Sequence, residues 1–178
     1  MHGGVVSVSS PGPGKGATFT VRLPVQASLD NSLNGAANPN DGRTGEIARL
    51  EGVRILLVDD DADACAVISY ILNETGAIVK TALSVNAALS IIEQFKPQVL
   101  ISDIGMPERD GFELIREVRA RGFSYQAVPA IALTALARPE DRRRALLAGY
   151  QVHLAKPIDT GELSATIAAL IGQIASNN

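Results

Sequence analysis

The sequence predicts an α/β protein: a five-stranded parallel, doubly wound sheet, preceded by a short N-terminal β-hairpin. Three observations carry this. From Val53 onward, short apolar runs alternate with stretches of helical spacing, five times in roughly 120 residues. Most of the runs end at a polar residue, as strands buried on both faces do when they reach a loop. In residues 99–107, VLISDIGMP, one such run stops at Asp103, and Gly105 and Pro107 then break regular structure. Asp103 therefore stands where a buried strand opens into a loop. In open parallel sheets that carboxyl end is where ligands bind. Taken alone, Asp103 equally suits a turn or helix cap.

Composition narrows the class. Of 178 residues, 46% are hydrophobic, enough for a sizeable core. Aromatics are only 4% and Trp is absent, so that core must be Leu, Ile, Val and Ala. A net charge of −3 gives no general basic character, and no nucleic-acid partner is expected. The single cysteine, Cys65, excludes an internal disulfide and fits a reducing compartment. No apolar signal-peptide core follows MHGG, and no apolar run is long enough to span a bilayer. A soluble, cytoplasmic chain without membrane contact is expected.

Taken in order, residues 4–9, VVSVSS, and 17–23, ATFTVRL, are short β-like runs. They flank the loop Pro11-Gly12-Pro13-Gly14-Lys15-Gly16 and read as a hairpin. Two strands alone are marginal in water, so this looks like the end of something larger. Residues 25–52 are rich in Asn, Gly, Asp, Ser and Ala and read as a flexible linker, with a weak helical turn expected from Thr44 to Leu50.

The first parallel strand is Val53–Val58, ending in Asp59-Asp60-Asp61. A helix follows over Ala62–Leu72, with apolar positions at Ala64, Ala66, Val67, Tyr70 and Ile71 and a stop at Gly76. Ala77–Thr81 is the second strand, and Ser84 caps a helix carrying Ala87, Ala88, Ile91, Ile92 and Phe95. Val99–Ser102 is the third strand, and Asp110-Gly111 lead into a helix with Phe112, Leu114, Ile115 and Val118. Val128–Leu133 is the fourth strand and ends in Thr134. Pro139 opens a helix through Leu147, and Gly149 closes it. Gln151–Leu154 is the fifth strand, ending near Lys156-Pro157. A last helix over about 160–174 puts Leu163, Ile167, Leu170, Ile171 and Ile174 on one face.

With strand order 2-1-3-4-5, the polar strand ends Asp59, Asp60, Asp103, Thr134 and Lys156 converge on one edge of the sheet. Three carboxylates within a few Å repel strongly, and a divalent cation relieves that repulsion. An all-oxygen, carboxylate-rich site with room for water suits Mg²⁺, and Gly105 is the nearest backbone carbonyl to complete it. Metal, ammonium and hydroxyl together stabilise a phosphoryl group in transfer, and Asp103 is then the natural nucleophile.

LLVDDD (56–61), SDIGMPERDG (102–111), ALTA (132–135) and AKP (155–157), in this order, are similar to the motifs of response-regulator receiver domains. The resemblance covers 53–175 and implies the flavodoxin-like fold. It matches Asp59 and Asp60 to the acidic pair, Asp103 to the phosphoacceptor, Thr134 to the switch hydroxyl, Lys156 to the invariant lysine and Gly105 to the metal's carbonyl ligand. It implies an aspartyl phosphate formed with Mg²⁺ and a switched surface on the fourth helix, fifth strand and last helix. The donor it implies is a histidine kinase core or a histidine phosphotransfer protein. His153 stands where the family often has Tyr or Phe.

The first 24 residues, His2-Gly3-Gly4 and GPGKGATFTVRLP among them, resemble the last part of the ATP-binding domain of sensor histidine kinases. The family's asparagine box and phosphoacceptor helix are missing, so this chain is not expected to act as a kinase by itself. Together, 1–24, 25–52 and 53–175 suggest a segment of a hybrid histidine kinase. No output domain follows Asn178, so DNA binding is not expected.

Two rival readings compete. A haloacid-dehalogenase-like phosphatase would use Asp59-Asp60-Asp61 as its Asp-x-Asp, but leaves SDIGMP idle. A receiver used only for docking would not need all five site positions filled. Among the remaining residues, Cys65 is expected to pack on the sheet and Arg142-Arg143-Arg144 to be solvated. No helical His-Glu pattern surrounds His153, which is therefore not read as a phosphoacceptor.

Overall fold

A computed structural model describes residues 5–12, 14–22, 47–135 and 139–176. His2-Gly3-Gly4, Pro13, Leu23-Pro24 and residues 25–46 of the expected linker lie outside the described residues. The chain divides into two units, Met1–Asp41 and Gly42–Asn178.

The first unit holds the expected hairpin. Strands β1 (Val5–Ser9) and β2 (Thr18–Arg22) pair antiparallel, with Val8 opposite Phe19. The turn needs its glycines: Gly12, Gly14 and Gly16 all take positive φ. Val8 and Phe19 are exposed, so this pair buries little apolar surface.

The second unit is the expected doubly wound sheet. Its strands are β3 (Arg54–Val58), β4 (Ile78–Ala82), β5 (Val99–Asp103), β6 (Ala130–Thr134) and β7 (Val152–Ala155), all parallel, in the order β4-β3-β5-β6-β7. This is the expected 2-1-3-4-5 arrangement. The helices are α1 (Ala62–Glu74), α2 (Val85–Phe95), α3 (Gly111–Ala120), α4 (Pro139–Ala148) and α5 (Thr160–Ser176). Strands β5 and β6 are buried at every position, as strands covered on both faces must be. One core layer joins Leu56, Leu100, Ala132 and Phe112 under α2 and α3; the other joins Leu57, Ile101, Leu133 and Ile167 under α1 and α5.

Local chemistry sets the helix starts. Asp61, Ser84 and Asp110 cap α1, α2 and α3, each accepting from backbone N–H groups of the first turn. Gly111 follows Asp110 because a Cβ there would collide with the Asp103 carbonyl oxygen and lie 3.0 Å from the Tyr150 hydroxyl.

Two expectations need correction. In α1 the buried stripe is Cys65, Ile68 and Leu72, whereas Val67 and Tyr70 are exposed. Apolar residues occupy most of this helix, so spacing alone did not say which face meets the sheet. Residues 47–50 form no helical turn. Leu50 is buried instead, and its N–H donates to the Thr75 carbonyl. Arg142, Arg143 and Arg144 are exposed as expected, and the Arg144 guanidinium also lies 4.1 Å over the Phe112 ring. Cys65 packs on the sheet as expected.

Candidate functional site

The carboxyl ends of β3, β5, β6 and β7 meet at one edge of the sheet. Asp103 is the last residue of β5, Asp59 and Asp60 follow β3, Thr134 ends β6, and Lys156 follows β7. All five residues expected from sequence are therefore carried to one rim. Asp59 is 1% exposed, Asp103 6% and Thr134 8%, while Asp60 is open to solvent.

Lys156 is the hub. Its Nζ lies 2.7 Å from Asp59 Oδ2 and 2.8 Å from Asp103 Oδ1. Burial works against the ammonium, but the hydrogen bonds to Asp103 and Asp59 outweigh it and raise its pKa above the ordinary lysine value. The remaining oxygens are also engaged. Asp59 Oδ1 accepts from the Asp61 N–H at 3.1 Å, and Asp103 Oδ2 from the Gly105 N–H at 2.7 Å. A Cβ on Gly105 would lie 3.3 Å from Asp103 Oδ2, so glycine lets the loop fold back onto the carboxylate.

Asp59, Asp60 and Asp103 each bring a carboxylate oxygen into one group, all within 4.8 Å of one another. Three hard oxygen donors, one residue open to water, form a donor set that fits Mg²⁺, which keeps several waters when bound.

Two buried groups behind β5 were not legible from sequence. Ser102 Oγ donates to the Asp103 carbonyl at 2.8 Å, and the Tyr150 hydroxyl donates to the Gly111 carbonyl at 2.7 Å. Burial pushes the Tyr150 phenol well above its usual range. Tyr150 precedes β7 and touches the start of α3, so it ties two elements that sequence distance separates. On β7, His153 Nε2 is buried without a hydrogen-bond partner among the described residues.

Known proteins share this fold. The model of the response regulator receiver domain matches residues 55–168. The chain belongs to the receiver domain family. The receiver is 49% identical over 114 residues to an uncharacterized 14.6 kDa protein of Leptolyngbya boryana, a match covering 64% of this chain and 86% of that one. The sensor protein EvgS of Escherichia coli is 31% identical over 158 residues, covering 89% of this chain and 12% of EvgS. Among solved structures, the chemotaxis response regulator CheY4 of Vibrio cholerae is 29% identical with a TM-score of 0.62, covering 67% of this chain and 98% of that one. This chain spans only about half or less of the length of several other curated relatives. The receiver is thus related to two-component response regulators, and the phosphatase arrangement is not favoured. Among the described residues, no helix is long and apolar enough to cross a membrane.

Proposed function

We propose that the receiver takes a phosphoryl group from a phosphohistidine onto Asp103. The observation that carries this reading is the Lys156 ammonium shared by Asp59 and Asp103, with Asp60 alongside. An Asp103 oxygen attacks phosphorus; the new P–O bond forms as the P–N bond to the donor imidazole breaks, and the imidazole nitrogen keeps the electron pair. Asp59, Asp60 and Asp103 would hold Mg²⁺, with the Gly105 carbonyl as a further ligand. The metal's contribution is to offset the charge of the transferred oxygens. Lys156 supplies a second positive charge, already aimed at Asp103. The Thr134 hydroxyl, at the neighbouring strand end, turns toward the phosphoryl group. That motion pulls on the loop to α4 and biases the face of α4, β7 and α5.

The donor is a histidine kinase core or a histidine phosphotransfer protein. We read 1–24 as the tail of a kinase ATP-binding domain, 25–52 as a linker and 53–175 as the receiver of a hybrid histidine kinase in the cytoplasm. Two findings support that origin. The similarity to EvgS spans too much of the chain to be confined to the receiver. The hairpin also has too little buried apolar surface to stand alone.

Acetyl phosphate tests the reading. The chain is expected to gain a Mg²⁺-dependent label that EDTA prevents and Asp103→Asn abolishes. A label lost on Asp59→Asn but retained by Asp103→Asn would contradict it.

A further inference from the structure

The loop between β5 and α3 carries Gly105, and its conformation is unusual in one place. Glu108 has φ of +62°, the left-handed region that a non-glycine residue enters at a cost. Such a conformation persists only where its surroundings over-determine it. At the root of the loop, the Gly111 N–H donates to the Ile104 carbonyl at 3.1 Å, and Met106 is buried in the core. The other restraint is Arg109. Its backbone N–H donates to the Pro107 carbonyl at 2.7 Å, across Glu108. Its side chain then reaches three ways: Nε to Glu113 Oε2 at 3.0 Å, one terminal nitrogen to Glu117 Oε1 at 2.5 Å, and the other to Asn86 Oδ1 at 2.8 Å. Glu113 and Glu117 lie on successive turns of α3, and Asn86 lies in the first turn of α2. One guanidinium therefore pins the turn to two helices. The rigid guanidinium carries these donors on three separate nitrogens; a lysine ammonium has its three donors on one nitrogen and does not span the same partners.

We propose that Arg109 is a positioning residue for the cation end of the site. It holds Glu108 in the left-handed turn, and through Pro107 and Met106 it fixes the backbone at Gly105 beside Asp103. Arg109 touches none of the cation's ligands. This inference rests on the reading of Asp59, Asp60, Asp103 and the Gly105 carbonyl as a divalent-cation site.

Mn²⁺ binding by the full chain, followed by electron paramagnetic resonance without any phosphodonor, tests it. Arg109→Ala is expected to weaken Mn²⁺ binding by roughly tenfold, the low end of what losing an outer support of a metal ligand costs. Arg109→Lys is expected to fall close to Arg109→Ala. Adding Glu108→Gly to Arg109→Ala is expected to restore most of the affinity, because glycine takes the left-handed turn without strain. A role confined to helix packing would lower the melting temperature but leave Mn²⁺ affinity unchanged and unaffected by Glu108→Gly. Wild-type affinity in Arg109→Ala, or a loss that Glu108→Gly does not recover, overturns the inference while the cation site stands. Absence of Mn²⁺ binding in the wild-type chain overturns the site itself, and the inference with it.

Discussion

Lys156 Nζ lies 2.8 Å from Asp103 Oδ1, and the same ammonium serves Asp59 at 2.7 Å. Two carboxylates that are each more than nine-tenths buried thus depend on one cation that is about a third exposed. Lys156→Met leaves both carboxylates without it. The substitution is expected to cost about 1–3 kcal/mol of stability without metal, toward the lower end because solvent reaches the ammonium. Asp103→Asn in the same background should recover part of that loss, since one buried charge is then removed. Urea unfolding of the single and double variants measures both terms.

Tyr150→Phe keeps the ring in the core but removes the donor to the Gly111 carbonyl. The net value of one such bond is about 1 kcal/mol, and urea unfolding should show a loss of that size. A change in the amide resonances around Gly111 and Asp103, with α4 unaffected, would locate the effect at the start of α3.

His153→Phe removes a buried nitrogen that has no partner among the described residues. A stabilisation of about 1 kcal/mol is expected if the ring fits the same space, since an unsatisfied buried polar atom costs that much or more. The melting temperature of this variant against His153→Ala separates the polar effect from lost packing.

Stability should fall at alkaline pH. Burial raises Cys65 from an ordinary 9.0 to about 11, and Lys156 and Tyr150 are also raised above their ordinary values. In each case the unfolded chain loses its proton at lower pH than the folded chain. The unfolded state therefore binds fewer protons, and unfolding becomes easier as pH rises. The contribution of these groups is intact below about pH 9 and declines above it, first through Cys65. Urea midpoints from pH 8 to pH 10.5 should show the decline, with its first part missing in Cys65→Ala. The same burial should make the thiol slow to alkylate at pH 8 until the chain is unfolded.

The five strand-end residues were legible because a parallel sheet places every carboxyl end on one rim. An apolar run that stops at Asp, Thr or Lys therefore names a site position directly. The helix cap at Ser84 and the helix start at Asp110-Gly111 were legible for a similar reason, since such signals act within three residues of themselves. Tyr150 and Arg109 were not. Their partners, Gly111 and Asn86, lie on other elements, and no local pattern connects them. The buried stripe of α1 was misread because Val67 and Tyr70 also present largely apolar side chains at helical spacing, and only packing chose between the faces.

Borohydride reduction of the acetyl-phosphate-treated chain, followed by peptide mapping, tests the central claim most directly. An aspartyl phosphate is reduced to homoserine, which marks the acceptor residue permanently. The account requires homoserine at position 103 alone, formed with Mg²⁺ and absent with EDTA. Homoserine at position 59 or 60, or none at position 103 when Mg²⁺ is present, would contradict it.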